Sequence, residues 1–297
     1  MSLRKLFRTG LGFAAAALFA LAPSLAAAAP PLWAVKDENS TIYLFGTVHL
    51  LPEGTQWRTP AYDKAYAEAQ AVWLETPVGE SPEARQAMES LIVDYGYDFE
   101  HKLSKRLSRK DYARVTAALK PLGMDKKTLE GMRPWLAGLM ITFSGYMEQG
   151  LSPEAGADQQ IETASAETGK PLRYFETNEE QIRFFADLSP EAELQFLNDV
   201  LEEMDTGAEA AQAMTDAWVA GSESEMVALF VEAMRHERPE LYEAILRGRN
   251  HRWAETLERE MRGEGVAIVN VGAAHMVGED GLPALMKARG FTVERVQ

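Results

Sequence analysis

Ile268-Val269-Asn270-Val271-Gly272-Ala273-Ala274-His275-Met276 is an apolar run that ends in glycine, two small residues and histidine. Near the other end of the chain, Thr41-Ile42-Tyr43-Leu44-Phe45-Gly46-Thr47-Val48-His49-Leu50 repeats the pattern. A short β-branched or aromatic run bounded by a turn residue reads as a buried strand, so each stretch is a strand followed by Gly-x-x-His. The chain has only five histidines, at 49, 101, 236, 251 and 275, and His49 and His275 each carry glycine three residues earlier at the end of such a run. Glycine permits a sharp turn on leaving a sheet, which would aim each imidazole back across the strand ends. The plain alternative is a pair of packed histidines bonded to backbone. The functional one is an imidazole acting as metal ligand or general base.

Working outward, residues 32–35 supply a hairpin partner for 41–45 across the turn-forming 36–40. A helix follows over 61–70 and a buried strand over 71–75. From 81 to 166 apolar residues recur at three and four, with breaks at Gly96, Pro121 and Pro153. A strand at 171–175 interrupts, and helices return from 178 to about 262. The chain then closes as strand, helix and strand over 266–271, 282–289 and 291–296. Strands therefore cluster at both ends and helices fill the middle. The predicted fold is α/β, a central mixed sheet built from N- and C-terminal strands with a large helical middle region packed over or capping it. The C-terminal ends of such strands meet at a crevice, where open α/β sheets place ligands.

Carboxylates occupy comparable places. Trp73-Leu74-Glu75 and Tyr174-Phe175-Glu176 each set an acid directly after an apolar strand. Such an acid is a desolvated functional group or belongs to a helix start; Pro77 makes capping unconvincing for Glu75, which reads as functional. Thr177-x-x-Glu180 forms a capping box, so a structural role for Glu176 has at least equal standing. On a helix from Glu240, the stripe Leu241, Ile245, Leu246, Trp253 and Leu257 carries Arg249 and Asn250 on its apolar face, whereas His251 and Arg252 point elsewhere. A guanidinium facing a core needs an acid or an anionic ligand. For Asn250 the alternative is that Gly248 breaks the helix and Asn250 caps a new one. Asp158, after Gly156, reads as an N-cap.

Composition bounds the chemistry. The chain has 297 residues, 46% hydrophobic and 25% charged, which is globular. With no cysteine, disulfides, zinc–cysteine sites, iron–sulfur clusters and thiol nucleophiles are excluded. No G-x-S-x-G, H-E-x-x-H or Walker A motif occurs. Arg4, Lys5 and Arg8 precede an alanine-rich apolar run over 11–25 and Ala26-Ala27-Ala28-Ala29, so residues 1–28 are expected to be a cleaved signal peptide and 29–297 the exported, periplasmic domain. Losing those three bases takes the formal charge from −15 to −18. Such an acidic protein is not expected to bind nucleic acid, or to stay at a membrane after cleavage.

Taken in order, Leu44–Leu50, Gly169-Lys170-Pro171, Phe175-Glu176-Thr177 with Gln181, Arg249-Asn250, and Val269–Gly281 resemble the TraB/PrgY/GumN family. The likeness spans nearly all of the mature chain and is weakest over 82–147. It implies kinship with the Tiki metalloproteases and, more remotely, with erythromycin esterases and haem-binding ChaN-like proteins. By this resemblance His49, His275 and Glu75 are expected to hold a divalent ion (manganese, cobalt or zinc), with Glu75 or Glu176 as proton acceptor and Arg249 and Asn250 as the late polar pair. The expected function is metal-dependent hydrolysis of a peptide or small molecule. A metal-independent esterase and a non-catalytic haem- or peptide-binding protein are the alternatives.

Overall fold

Runs such as Ile268-Val269-Asn270-Val271 carry apolar side chains on both faces, with Asn270 bonded to Tyr62 and to the Trp73 carbonyl, which suits a strand covered on both sides. In the computed structural model, which describes residues 29–79, 81–204 and 207–297, Ile268, Val269, Asn270 and Val271 are all at 0% exposure. The expected signal peptide, 1–28, lies outside the described residues. Among the described residues eight strands form: β1 (Leu32–Lys36), β2 (Ser40–Thr47), β3 (Leu51–Pro52), β4 (Ala71–Leu74), β5 (Leu151–Ser152), β6 (Leu172–Tyr174), β7 (Gly265–Gly272) and β8 (Thr292–Arg295).

Six of them make one sheet in the order β6-β4-β7-β2-β1-β8. Strands β6, β4, β7 and β2 are mutually parallel, and β1 runs antiparallel to both β2 and β8. The sheet is thus mixed and assembled from both ends of the chain, with a helical middle, as the strand pattern predicts. Strand β7 pairs with β2 over Ser40↔Gly265 to Thr47↔Gly272, which brings the Gly-x-x-His segments that end these two strands side by side at one sheet edge.

Helices cover the sheet and build a second body. One apolar cluster joins the sheet strands to Trp57, Tyr62, Trp218, Trp253 and Leu257. Another joins Leu103, Val115, Trp135, Leu136, Ile141 and Leu197 within the helical middle. Burying each of these large side chains contributes roughly 1.5–3 kcal/mol relative to exposure.

Three local features bear on the site. The two-residue strands β3 and β5 pair antiparallel, a contact too short for periodicity to reveal. It ties the segment just after His49 to the segment just before Gly156. Second, Gly248 does not break the late helix. A π-helical stretch, Glu243–Arg247, runs directly into the helix Gly248–Glu260, so Asn250 lies inside a helix and is not a cap. Third, neither Gly46 nor Gly272 adopts positive φ. Their value is space: a Cβ on Gly46 would lie 2.9 Å from Ala273 Cα, and one on Gly272 would lie 3.2 Å from Glu75 Oε1.

Candidate active site

Four parallel strands deliver their C-terminal ends to one edge, and the residue types that follow them differ sharply in burial. Backbone pairing continues past β4 and β6, with Phe175 N–H donating to Leu74 O (3.1 Å) and Glu176 N–H to Glu75 O (2.9 Å). That pairing holds the two carboxyl groups next to one another. Beyond β7, Ala273–Met276 forms a tight 3-10 turn that buries His275. Beyond β2, His49 keeps 63% of its side chain exposed.

Arg249 lies at the centre. Its Nη2 donates to Glu75 Oε2 (2.5 Å) and Glu176 Oε2 (2.7 Å), and its Nε to Glu176 Oε1 (3.0 Å). Nη1 donates to Ile245 O (3.1 Å) and lies 3.3 Å from His275 Nε2. Trp253 Nε1 donates to Glu176 Oε1 (3.0 Å), and the rings of Trp253 and Phe184 cover the guanidinium at 4.6 and 5.0 Å. Glu75 also accepts from Gly272 N–H at Oε1 (2.7 Å) and from Gln181 Nε2 at Oε2 (3.1 Å). The side chains of Arg249, Glu75, Glu176 and His275 are each no more than 7% exposed.

Each histidine is gripped at Nδ1 by a side chain, not by backbone. His275 Nδ1 meets Asn250 Oδ1 at 2.5 Å, and Asn250 Nδ2 donates to Asp280 O at 2.7 Å, which fixes the amide orientation. His49 Nδ1 meets Asp158 Oδ2 at 2.7 Å. Asp158 does not cap its helix: the N-cap of Ala157–Thr168 is Gly156, and the buried Asp158 carboxylate turns inward to His49 and Thr47. The capping box Thr177–Glu180 does form, but Glu176 lies just outside it and faces Arg249. His49 Nε2, Glu75 Oε1 and His275 Cδ2 all come within 4 Å of the place a Gly272 Cβ would take, and His275 Nε2 is 3.7 Å from Glu75 Oε1. All six expected residues, His49, Glu75, Glu176, Arg249, Asn250 and His275, therefore share one neighbourhood. His101 and His236 instead pair locally with Asp98 and Glu232 on the surface.

Burial and charge set the protonation pattern. Burial raises the Glu75 carboxyl, but Arg249, His275, His49 and the Gly272 amide outweigh it and hold the group well below the ordinary range. For Glu176 burial prevails over Arg249, and its pKa is raised. Burial, helped by the Arg249 charge, pushes His275 down to about 3, so this ring is neutral at neutral pH. The Asp158 charge pushes His49 up to about 9 against its own desolvation. Glu75 is thus held ionised beside Arg249, and Glu176 shares the same guanidinium.

Among the described residues, no three or more His, Asp or Glu side chains already stand as a ligand set for a metal ion. A cleft of about 490 Å³ is lined by Phe184, Leu188, Glu240 and Ala244 among others, and Phe184 also covers Arg249; in the cluster itself His49 is the exposed side chain. Sequence reading missed Asp158 and Thr47 as parts of this arrangement. No local signal announces them, because 109 residues separate Asp158 from His49.

Comparison with known proteins agrees with the order of motifs along the chain. Two curated relatives, each named Uncharacterized protein YbaP, come from Escherichia coli (strain K12) and Shigella flexneri. Each is 23% identical over 256 residues, covering 84% of this chain and 89% of the relative. No solved structure matches significantly. The family model described as TraB/PrgY/gumN family matches residues 31–295, and the chain belongs to that family.

Proposed function

We propose that the protein is a metal-assisted hydrolase acting on a peptide or related carbonyl substrate outside the cytoplasm, with His49, His275 and Glu75 as the groups that hold the ion. The observation that carries this reading is the meeting of His49 Nε2, His275 and Glu75 Oε1 around Gly272, each anchored from behind by a partner of its own. Outer partners of this kind orient ligating imidazoles. Two imidazole nitrogens and a carboxylate oxygen suit several first-row divalent ions. Such an ion, when bound, lowers the pKa of a water and polarises a carbonyl.

The chain's own residues divide the remaining work. Asn250 accepts from Nδ1–H of His275, so Nε2 carries the lone pair, which faces Arg249 Nη1 at 3.3 Å. Gln181 and Arg249 hold Glu75 Oε2, leaving Oε1, bonded to the Gly272 amide, toward the two rings. Glu176 has both oxygens on Arg249, with Trp253 as a further donor, and serves to hold the guanidinium rather than to take a proton. Arg249 keeps Glu75 ionised and lies where it can face charge developing on a substrate oxygen. The basic, apolar and small-residue N-terminus supports export, and the acidic chain argues against nucleic-acid substrates.

One observation favours a metal-free variant. The exposed His49, with Nδ1 on Asp158 and Nε2 toward the cluster, has the layout of a general base with its orienting acid. The mature protein, stripped with chelator and resupplied with manganese, cobalt or zinc, separates the two on a quenched-fluorescence peptide library. The metal reading expects hydrolysis to vanish on chelation and return with ion, and metal content to fall in both His49→Ala and His275→Ala. Hydrolysis untouched by chelation would transfer the function to His49 as base. Neither hydrolysis nor retained metal would overturn both.

A further inference from the structure

Asp158 is the group in this neighbourhood with the least local reason to be where it is. It sits in the first turn of the helix Ala157–Thr168, where an acid is ordinarily solvated and interacts with the helix end. Here its side chain is only 10% exposed, and it spends both oxygens on the residues that leave β2. Oδ2 meets His49 Nδ1 at 2.7 Å, and Oδ1 accepts from the hydroxyl of Thr47, itself 1% exposed. Three further contacts fix the carboxylate against that strand exit. Ala157 N–H donates to Val48 O at 3.0 Å. Strands β3 and β5 pair on either side of the contact. Gly156 packs so tightly that a Cβ there would lie 2.1 Å from His49 O. The helix start is thus joined to the His49 segment through backbone, and Asp158 is carried in with it.

We propose that Asp158, backed by Thr47, is the positioning residue that decides which nitrogen of His49 faces the reacting centre. A carboxylate can only accept a hydrogen bond, so it selects an N–H at Nδ1 and leaves Nε2 as the nitrogen turned toward Gly272 and Glu75. His49 is largely exposed and, among the described residues, has no packed ring contact comparable to the 4.5 Å approach of Trp253 to His275, so this bond carries most of its orientation. The two histidines are therefore held by unlike partners, a carboxylate for the open ring and an amide for the buried one. The inference rests on the reading of His49 Nε2 as the working nitrogen, and its test is chosen to stand apart from that reading.

The experiment compares wild type with Asp158→Ala, Asp158→Asn and Thr47→Val in the metal-free mature protein by histidine-¹⁵N-labelled NMR. Wild type is expected to show a protected, hydrogen-bonded Nδ1–H for both His49 and His275. Asp158→Ala loses the His49 signal and keeps that of His275, which reports an intact site. Asp158→Asn, whose amide oxygen can still accept, retains the His49 signal, and Thr47→Val weakens it. On a substrate that wild type cleaves, Asp158→Ala lowers kcat about 10–100-fold with little change in KM, and Asp158→Asn restores most of it. Survival of the His49 Nδ1–H in Asp158→Ala would overturn the assignment. Equal loss in the Ala and Asn variants would also overturn it, because charge and not placement would then be what matters. If wild type hydrolyses nothing, the proposed function fails while the NMR comparison still judges Asp158.

Discussion

Replacing Arg249 with methionine removes the one cation shared by two buried carboxylates while keeping a similar apolar stem. In the native protein Glu75 and Glu176, with side chains 7% and 5% exposed, both bond to its Nη2, and Glu176 binds its Nε as well. Breaking a buried pair from one side costs about 3–5 kcal/mol, because a charge is left without a partner or solvent. For a chain of this size each kcal/mol moves Tm by about 2–4 °C, so the loss at pH 8 should be roughly 6–20 °C. Its pH dependence is diagnostic. In wild type, Glu75 titrates below its unfolded value of 4.5, so its contribution is present above that pH and lost as the pH falls through its lowered folded value. In Arg249→Met the carboxyls lose the charge that holds Glu75 down, and burial raises both above their unfolded values. The folded state then binds more protons than the unfolded one, and stability rises as pH falls from 8 to 5. Urea titrations of the mature protein at pH 5, 6, 7 and 8 measure this directly. A deficit under about 1 kcal/mol at pH 8, or one equally large at pH 5, would refute the reasoning. Adding Glu75→Gln and Glu176→Gln to the variant should recover much of the loss, since the unpaired charges are then gone.

Asn250→Leu leaves His275 Nδ1 buried without an acceptor and should cost about 1–3 kcal/mol in the same titration, with the buried ring free to reorient. Gly156→Ala sets a methyl against His49 O, forcing the helix start away from the strand exit; a loss of about 1–3 kcal/mol is expected by thermal melting, together with weakening of the His49–Asp158 contact. The His49 pair makes a pH prediction of opposite sense to that of Glu75. The folded pKa is raised from 6.5 to about 9, so its contribution is full below 6.5 and disappears as pH rises through about 9. Melting curves from pH 6 to 10 should show this slope in wild type and lose it in His49→Gln.

Much of the frame was legible because it depends on short-range patterns. Period-two or fully apolar runs mark β2 and β7, and a 3.6-residue stripe places Arg249 and Asn250 on the same face as Trp253. That stripe predicts burial for both, and both are buried, at 6% and 2% exposure. The Thr177–Glu180 capping box needs only three residues of context, and it forms. The strand ends were legible too, since an apolar run followed by glycine or acid announces its own termination. What the glycines supply besides a turn was not legible: a glycine signals either an unusual φ or a crowded approach, and only neighbours far along the chain tell the two apart.

By itself, the order of residues determined the α/β class, the sheet built from both ends of the chain, and the short roster of polar groups at strand ends, because hydrophobic period and turn chemistry are local. Tertiary structure alone decided how those groups pair. Arg249 with Glu75 spans 174 residues, His49 with Asp158 spans 109, and β3 with β5 is only a two-residue contact. Local propensity assigns Asp158 to the helix start, where an acid is favourable anyway. Its actual partner was settled by strand register and by the tight seat of Gly156, since a buried carboxylate must bond to whichever donor packing brings within reach.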